Sequence, residues 1–381
     1  MKTISSRPVI VVLFLLFSIA FARPAKPVVA FRNPPKPQFV ETKKQITAYV
    51  DTIMRKYTVP GAMVGIWKND TTVIELFQGV ADATSGRPMS RVDQFRIGSI
   101  TKTFVSSAFL ELCDEGKVSL DDTVKKFLPM VPGADKITLR ELCGHRSGIH
   151  DMIEDTAGER NEYSFVKNPK KHWAKSDIMN CVVSSHLDFE PGSRFNYSNT
   201  GYLLLGLVVE NVANATLDKV IRERFIIPQR LSSTAIPSDS LFPKQFCRGY
   251  MTAQEPGQLV DVTSIDPSLV WSAGSMISTF DDLKKWTMVF GEGAFLKPET
   301  KMKRDAFSAA WNESTGYGLG IMKLAGFIGH SGGIFGYNTG MFYNPERKIA
   351  VVVVLNNCNY VEGHMSEVIT GISKVLGETL K

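Results

Sequence analysis

Ser99 and Lys102 stand three residues apart in Phe95-Arg96-Ile97-Gly98-Ser99-Ile100-Thr101-Lys102. On a helix, positions i and i+3 share a face, so this spacing lets a hydroxyl meet an amine. A serine hydroxyl is a poor nucleophile near neutral pH and needs a base. Lysine can be that base once burial lowers its pKa, because desolvation disfavours the cation. Phe95, Ile97, Phe104, Val105 and Phe109 supply apolar bulk around the pair. Gly98 permits a tight turn into the helix, and a serine in the first helical turn has backbone N–H groups at hand to stabilise an oxyanion. The spacing alone is weak evidence. Ser164-Phe165-Val166-Lys167 repeats it among Glu159, Arg160, Asn161, Glu162 and Asn168, a polar setting in which lysine stays charged.

Two further clusters offer partners. Tyr197 and Asn199 flank Ser198, just ahead of a helix from about Gly201. In extended backbone, i and i+2 project to one side. A phenol able to relay a proton and a carboxamide able to hold a lysine and a carbonyl then share a cavity. Helix capping is the competing role for Asn199. Gly329-His330-Ser331-Gly332-Gly333 closes a short strand, where glycines admit close approach of another backbone. The same stretch fits G-x-S-x-G, a nucleophile elbow with Ser331 as nucleophile. An elbow demands a following helix, then an acid and a histidine. After Ser331 there is no Asp, His364 is the single histidine, and the segment reads as strands, so the elbow is set aside. Metal ligation is not indicated by spacing. His145 and His150 are five apart and followed by Asp151, while His172 and His186 are isolated, and structural or surface roles are expected for all four. No glycine-rich loop ends in Lys-Ser/Thr, and no cofactor is expected.

The elements that must carry these residues are partly visible. A helix is expected over 41–57, then a hairpin of Ala62–Trp67 and Thr72–Val80 around Lys68-Asn69-Asp70. The stretch 99–310 reads mostly helical, with its best segments at Thr101–Glu115, Lys175–Ser185, Thr200–Val212 and Thr279–Phe290. Strand patterns return at Gly318–Leu324, Gly326–His330, Tyr337–Tyr343 and Lys348–Leu355, and a last helix fits Val361–Leu380. Helix and strands at both ends of the chain imply one antiparallel sheet built from about 41–98 and 311–378 and covered by the terminal helices. The helical block 99–310 becomes a second lobe, with a site expected in the cleft between the two.

With 381 residues, 44% hydrophobic and 22% charged, the chain is neither disordered nor collagen-like. At about 150 residues per domain the length suggests roughly two domains. Net charge is +6, or +4 without Lys2 and Arg7, and the basic residues are scattered, which excludes a nucleic-acid footprint. Residues 1–22 read as a signal peptide: Lys2 and Arg7 precede an apolar run, and Ala20-Phe21-Ala22 is a small-x-small cleavage site. An uncleaved signal anchor is the alternative. Residues 23–40, rich in Pro and Lys, read as a flexible linker. A secreted or lumenal protein with no membrane span after leader removal follows. Cys113, Cys143, Cys181, Cys247 and Cys358 are odd in number, so at least one is unpaired within the chain; buried thiols with one or two bridges are expected. Sequons at Asn69, Asn214 and Asn312 are candidate glycosylation sites. A fourth, at Asn196, would crowd Tyr197 and is expected to stay unmodified.

S-x-x-K, then Y-x-N, then H-x-G, in that order, resembles the serine β-lactamase and penicillin-binding protein superfamily, in its class C β-lactamase-like branch. The resemblance spans about 41–378. It extends to Ile137-Thr138-Leu139-Arg140-Glu141-Leu142 with His145-Arg146-Ser147-Gly148-Ile149, to Phe189-Glu190-Pro191-Gly192 leading into Phe195-Asn196-Tyr197-Ser198-Asn199, and to Ala273-Gly274-Ser275-Met276-Ile277-Ser278-Thr279 with Asp282 and Trp286. It implies an α+β fold of the β-lactamase/transpeptidase type, an antiparallel sheet flanked by terminal helices plus a mostly helical lobe. By the same resemblance Ser99 is the acylated nucleophile, Lys102 its base, Tyr197 the proton shuttle and Asn199 the residue orienting Lys102 and substrate. His330 takes the place often held by lysine, and the backbone N–H groups of Ser99 and Gly333 form the oxyanion hole. Ser275 departs from the usual glycine. The implied activity is a secreted serine hydrolase acting on an ester, amide or peptide in a small molecule or peptide, of esterase or D-Ala-D-Ala carboxypeptidase type. An acyltransferase or β-lactamase using the same acyl-enzyme, and a non-catalytic protein binding peptides or cell-wall fragments, are the alternatives.

Overall fold

A strand covered on both faces has no reason to alternate polar with apolar residues, and Val351–Leu355 is such a run. In the computed structural model of the protein it lies within a strand, Ile349–Leu355, buried at every position. The structure describes residues 37–153, 168–253, 258–310, 315–358 and 364–379. Its strands are β1 (Gly61–Lys68), β2 (Thr71–Asp82), β3 (Arg87–Pro88), β4 (Gln94–Arg96), β5 (Tyr250–Thr252), β6 (Leu259–Asp261), β7 (Ile277–Thr279), β8 (Ser308–Ala309), β9 (Thr315–Tyr317), β10 (Met322–Leu324), β11 (Phe327–Ile334), β12 (Tyr337–Asn344) and β13 (Ile349–Leu355). Nine of them form one antiparallel sheet in the order β3-β2-β1-β13-β12-β11-β10-β9-β8. The N-terminal hairpin thus joins the C-terminal strands through β1 and β13, with Ala62 opposite Leu355 and Lys68 opposite Ile349.

Period two decides what covers the sheet. Ile349, Val351, Val353 and Leu355 pack with Ile46, Val50 and Ile53 of α1 (Pro37–Lys56) and with Val368, Ile369, Ile372 and Leu376 of a C-terminal helix, Met365–Thr379. Ala350, Val352 and Val354 point the other way, into a larger core shared with the helical lobe. That lobe holds α2 (Thr101–Asp114), α3 (Leu139–Cys143), α4 (Lys175–Val183), α5 (Asn199–Ala213), α6 (Leu217–Ile221), α7 (Trp271–Gly274), α8 (Phe280–Glu292) and α9 (Pro298–Arg304), and the C-terminal helix is α10. Two short ribbons, β4 with β7 and β5 with β6, interrupt it. The α+β architecture expected from the sequence is the one observed.

Several details differ from expectation. The first helix begins at Pro37, so residues 37–40 are helical rather than linker. The β1–β2 turn is Asn69-Asp70, both at positive φ (48° and 61°), the twist a two-residue hairpin needs. Gly318–Leu324 is not one strand. Its first four residues are the turn from β9 into β10, where Gly318 N–H donates to Ile321 O at 2.8 Å and Gly320, at φ 74°, reverses the chain. The sheet also gains an edge strand at Ser308–Ala309, within the stretch read as helical. All five cysteines are unpaired, so the expected bridges are absent; burial pushes the Cys143 thiol up to about 12. Among the described residues, no helix is long and apolar enough to cross a membrane. The leader, linker residues 23–36, Asn312 and Ser164–Lys167 lie outside the described residues.

Candidate active site

Ser99 owes its position to two glycine contacts. Gly98 sits at φ 51°, which turns the chain from β4 into a single 3₁₀ turn, Gly98–Ile100, continuous with α2. A methyl on Gly98 would lie 3.0 Å from the Gly333 nitrogen, and one on Gly332 would lie 2.0 Å from the Ile97 carbonyl oxygen. The start of α2 and the end of β11 are therefore in backbone contact, and Thr339 Oγ1 clips them by donating to Ile97 O at 3.0 Å. Beyond Gly329, β11 has no partner in β10, whose pairing ends at Met322 opposite Gly329. Residues 330–334 thus present an open strand edge to the cleft.

Lys102 is fully buried, and its partners decide what a neutral amine there can do. Nζ lies 2.8 Å from Asn199 Oδ1, 2.7 Å from Ala273 O and 3.1 Å from Ser99 Oγ. The first two can only accept, so a neutral amine spends both N–H groups on them and aims its lone pair at Ser99. Burial brings the pKa down to about 7, partly opposed by the charge of Asp151. The Tyr197 phenol is hydrogen-bonded to Ser99, and burial raises its pKa, keeping it protonated.

Asn199 is positioned from behind. Its Nδ2 and its backbone N–H both donate to Asp151 Oδ2 at 2.9 Å, which leaves Oδ1 for Lys102. Helix capping is not its task, since Ser198 is the cap of α5, accepting from Gly201 N–H at 3.2 Å. Asp151, buried, also accepts from Ile153 N–H at 3.0 Å. His145 holds the neighbouring backbone: its Nδ1 accepts from Ser198 N–H at 3.1 Å. That bond fixes the tautomer, so Nε2–H donates to Tyr317 OH at 3.1 Å, Tyr317 OH donates to His330 Nε2 at 2.9 Å, and His330 Nδ1–H donates to the Ser331 carbonyl. The chain of donors works only with both rings neutral. Burial agrees, taking His330 down to about 3 and His145 well below its ordinary value.

Of the residues expected in one site, Ser99, Tyr197, Asn199, His330 and Gly333 line one cleft of about 660 Å³, and Lys102 is buried directly behind Ser99 and Asn199. Sequence reasoning did not find Asp151, His145 as a backbone clamp, Tyr317, or the Ala273 carbonyl. It did not find Asn338 either, a buried carboxamide on the cleft wall with neither polar atom partnered. Ser331 lies within β11, not on a strand-to-helix elbow, and its hydroxyl is directed at Met322 Sδ, 3.5 Å away. His364 stacks on Tyr57 at 3.4 Å between centroids. Asn196 lines the cleft, whereas Asn69 and Asn214 sit in exposed turns.

Ser275 buries a hydroxyl that no group satisfies, in right-handed helical backbone that alanine also adopts (φ −84°, ψ −14°). An unsatisfied buried hydroxyl costs about 1–3 kcal/mol. Ser275→Ala is therefore expected to stabilise the fold by about 1 kcal/mol, read as a higher urea midpoint at unchanged slope. A lower midpoint would show that the hydroxyl has a partner in solution.

The family described as Beta-lactamase matches residues 46–364. The fold is similar to a D-stereospecific amidohydrolase from Streptomyces sp. (28% identity, TM-score 0.75, covering 87% of this chain and 98% of that one). It is also similar to the D-amino acid amidase of Ochrobactrum anthropi SV3 complexed with L-phenylalanine amide (25% identity, TM-score 0.78, 89% and 98%). Protein flp of Staphylococcus aureus (strain NCTC 8325 / PS 47) is 25% identical over 349 residues, 84% of this chain and 64% of that protein. The chain thus spans less than two thirds of the length of such curated relatives.

Proposed function

The chain belongs to the Beta-lactamase family, and we propose that it is a serine hydrolase that acylates Ser99 and releases the acyl group to water. One observation carries the reading: the Lys102 amine, buried with a pKa near 7, has both N–H groups engaged and its remaining valence directed at Ser99 Oγ. As Ser99 Oγ attacks the substrate carbonyl, its proton passes to Lys102 Nζ. The backbone N–H groups of Ser99 and Gly333 hold the oxyanion. Tyr197 delivers a proton to the leaving oxygen or nitrogen and is itself resupplied from Lys102. Water then attacks acyl-Ser99 along the reverse proton path and restores the hydroxyl.

The substrates we propose are esters and amides that carry no carboxylate, with D-amino acid amides the first to examine, since similar solved proteins are a D-stereospecific amidohydrolase and a D-amino acid amidase. Among the described residues lining the cleft there is no Lys or Arg, and His330 is neutral. Among these described lining residues a substrate carboxylate meets no permanent cation, and a charge-assisted hydrogen bond is worth about 1.5–3 kcal/mol. In a panel of aryl esters, D- and L-amino acid amides and benzylpenicillin, kcat/KM for the best ester or amide is expected to exceed that for the penicillin by about 10- to 100-fold. Penicillin as the best substrate would replace this reading with a β-lactamase. Secretion is part of the proposal, supported by the signal-peptide pattern of residues 1–22, and N-terminal sequencing of the exported protein tests it.

A further inference from the structure

His150, His186 and Asp188 come together through an antiparallel bridge that the sequence does not announce. Ile149 pairs with Leu187, His150 N–H donates to His186 O at 3.1 Å, and Asp188 N–H donates to Gly148 O at 2.8 Å. Opposed residues in such a bridge share a face, and their neighbours take the other. Ile149 and Leu187 pack inward against the core. His150, His186 and Asp188 consequently project together on the outer face. His150 Nδ1 lies 2.9 Å and 3.1 Å from the two Asp188 oxygens, and His186 Nε2 lies 3.1 Å from Asp188 Oδ1. The two imidazoles stack at 4.7 Å with 19° between planes, and one ligating atom from each of the three residues falls within a 4.8 Å span.

We propose that these three side chains bind one divalent first-row transition-metal ion of the Zn²⁺ type. Tetrahedral coordination at about 2.0–2.1 Å places ligand atoms roughly 3.3–3.4 Å apart. Two of the three ligand separations are within a few tenths of an ångström of that, and rotation of the exposed His186 closes the third. Two imidazole nitrogens with one carboxylate suit zinc, copper or nickel rather than calcium or magnesium, which prefer oxygen ligands. On binding, the protons on His150 Nδ1 and His186 Nε2 move to the opposite nitrogens of the same rings, so neutral imidazoles ligate without net proton loss. Water would complete the coordination. The site lies outside the serine machinery but next to it in sequence, since His150 precedes Asp151, whose carboxylate holds Asn199. An ion here ties the 148–150 segment to 186–188.

The test is calorimetric titration of the chelator-treated protein with ZnCl₂, with bound metal counted and thermal unfolding followed in parallel. Wild type is expected to take up one ion with a zinc-dependent rise in Tm. His186→Ala, which removes an exposed ring, is expected to lose that ion and the Tm rise, and Asp188→Asn to weaken it more than the roughly 10- to 100-fold typical of losing a group behind a ligand. The free thiols and the other histidines remain in both variants, so zinc held elsewhere is seen equally in all three proteins. Equal stoichiometry and affinity in wild type and both variants, no uptake by wild type, or a Tm rise with Ca²⁺ but not Zn²⁺ would each overturn the proposal.

Discussion

Ser99→Ala is expected to fold as wild type does, to take up no fluorophosphonate, and to lose turnover by roughly 10⁴-fold or more, as when the nucleophile of a cooperating catalytic set is deleted. The substitution removes one hydroxyl from a half-buried position and leaves Gly98, α2 and the contacts of Lys102 with Asn199 and Ala273 in place. The loss is therefore chemical, not structural. Ser331→Ala is the matched control. Its hydroxyl faces Met322 rather than a base, so labelling and turnover are expected to stay within about twofold, the scale of a mutation outside the reacting set. Intact mass and peptide mapping read the outcome. An adduct on Ser331, or labelling that survives Ser99→Ala, would remove the nucleophile from the mechanism argued above.

Lys102→Met keeps the volume and the apolar character of the pocket but removes the base. Acylation is expected to slow by about 10²- to 10⁴-fold, the range of a positioned general base. The pH dependence distinguishes loss of the base from loss of shape. Wild-type kcat/KM rises as Lys102 loses its proton near pH 7 and then levels off. His145 and His330 are already neutral there and Tyr197 stays protonated, so none of them adds a falling limb below about pH 9. In Lys102→Met the residual rate loses the limb at 7. A wild-type profile flat from pH 5 to 9, or a variant that keeps the limb, would assign the titration to another group. The same depressed pKa also sets a stability trend. Between about 7 and 10.5 the unfolded chain binds the Lys102 proton and the folded protein does not, so this residue contributes stability that is lost as pH falls through that window.

What the sequence revealed and what it hid divide along the distance between partners. The S-x-x-K pair, the hairpin around Asn69-Asp70 and the apolar run of β13 are local patterns, and each forms as its spacing implies, although the hairpin turn is one residue shorter than expected. The order of strands and helices also pointed to a sheet made from both ends of the chain. Asp151 is not legible in the sequence, because its partner Asn199 is remote and a single Asp after His150 looks like any loop residue. The His150–His186–Asp188 group looked like isolated histidines for the same reason. The break between β9 and β10 turned on the conformation of Gly320, which composition does not report. The charge of His330 was legible only as a tendency toward neutrality. Its Tyr317 and Ser331 contacts, together with full burial, are what fix the neutral ring.

The pairing of β1 with β13 has a consequence for how the protein comes into being. Ala62 waits for Leu355, which makes the topology one of high contact order and slow closure. A ribosome adding about 5–20 residues per second needs roughly 13–50 s to travel from Ser99 to Leu355. Until Gly333 is made, Ser99 lacks the far side of its cleft. On the proposed mechanism, reactivity at Ser99 is therefore expected only once the last strands have joined the sheet.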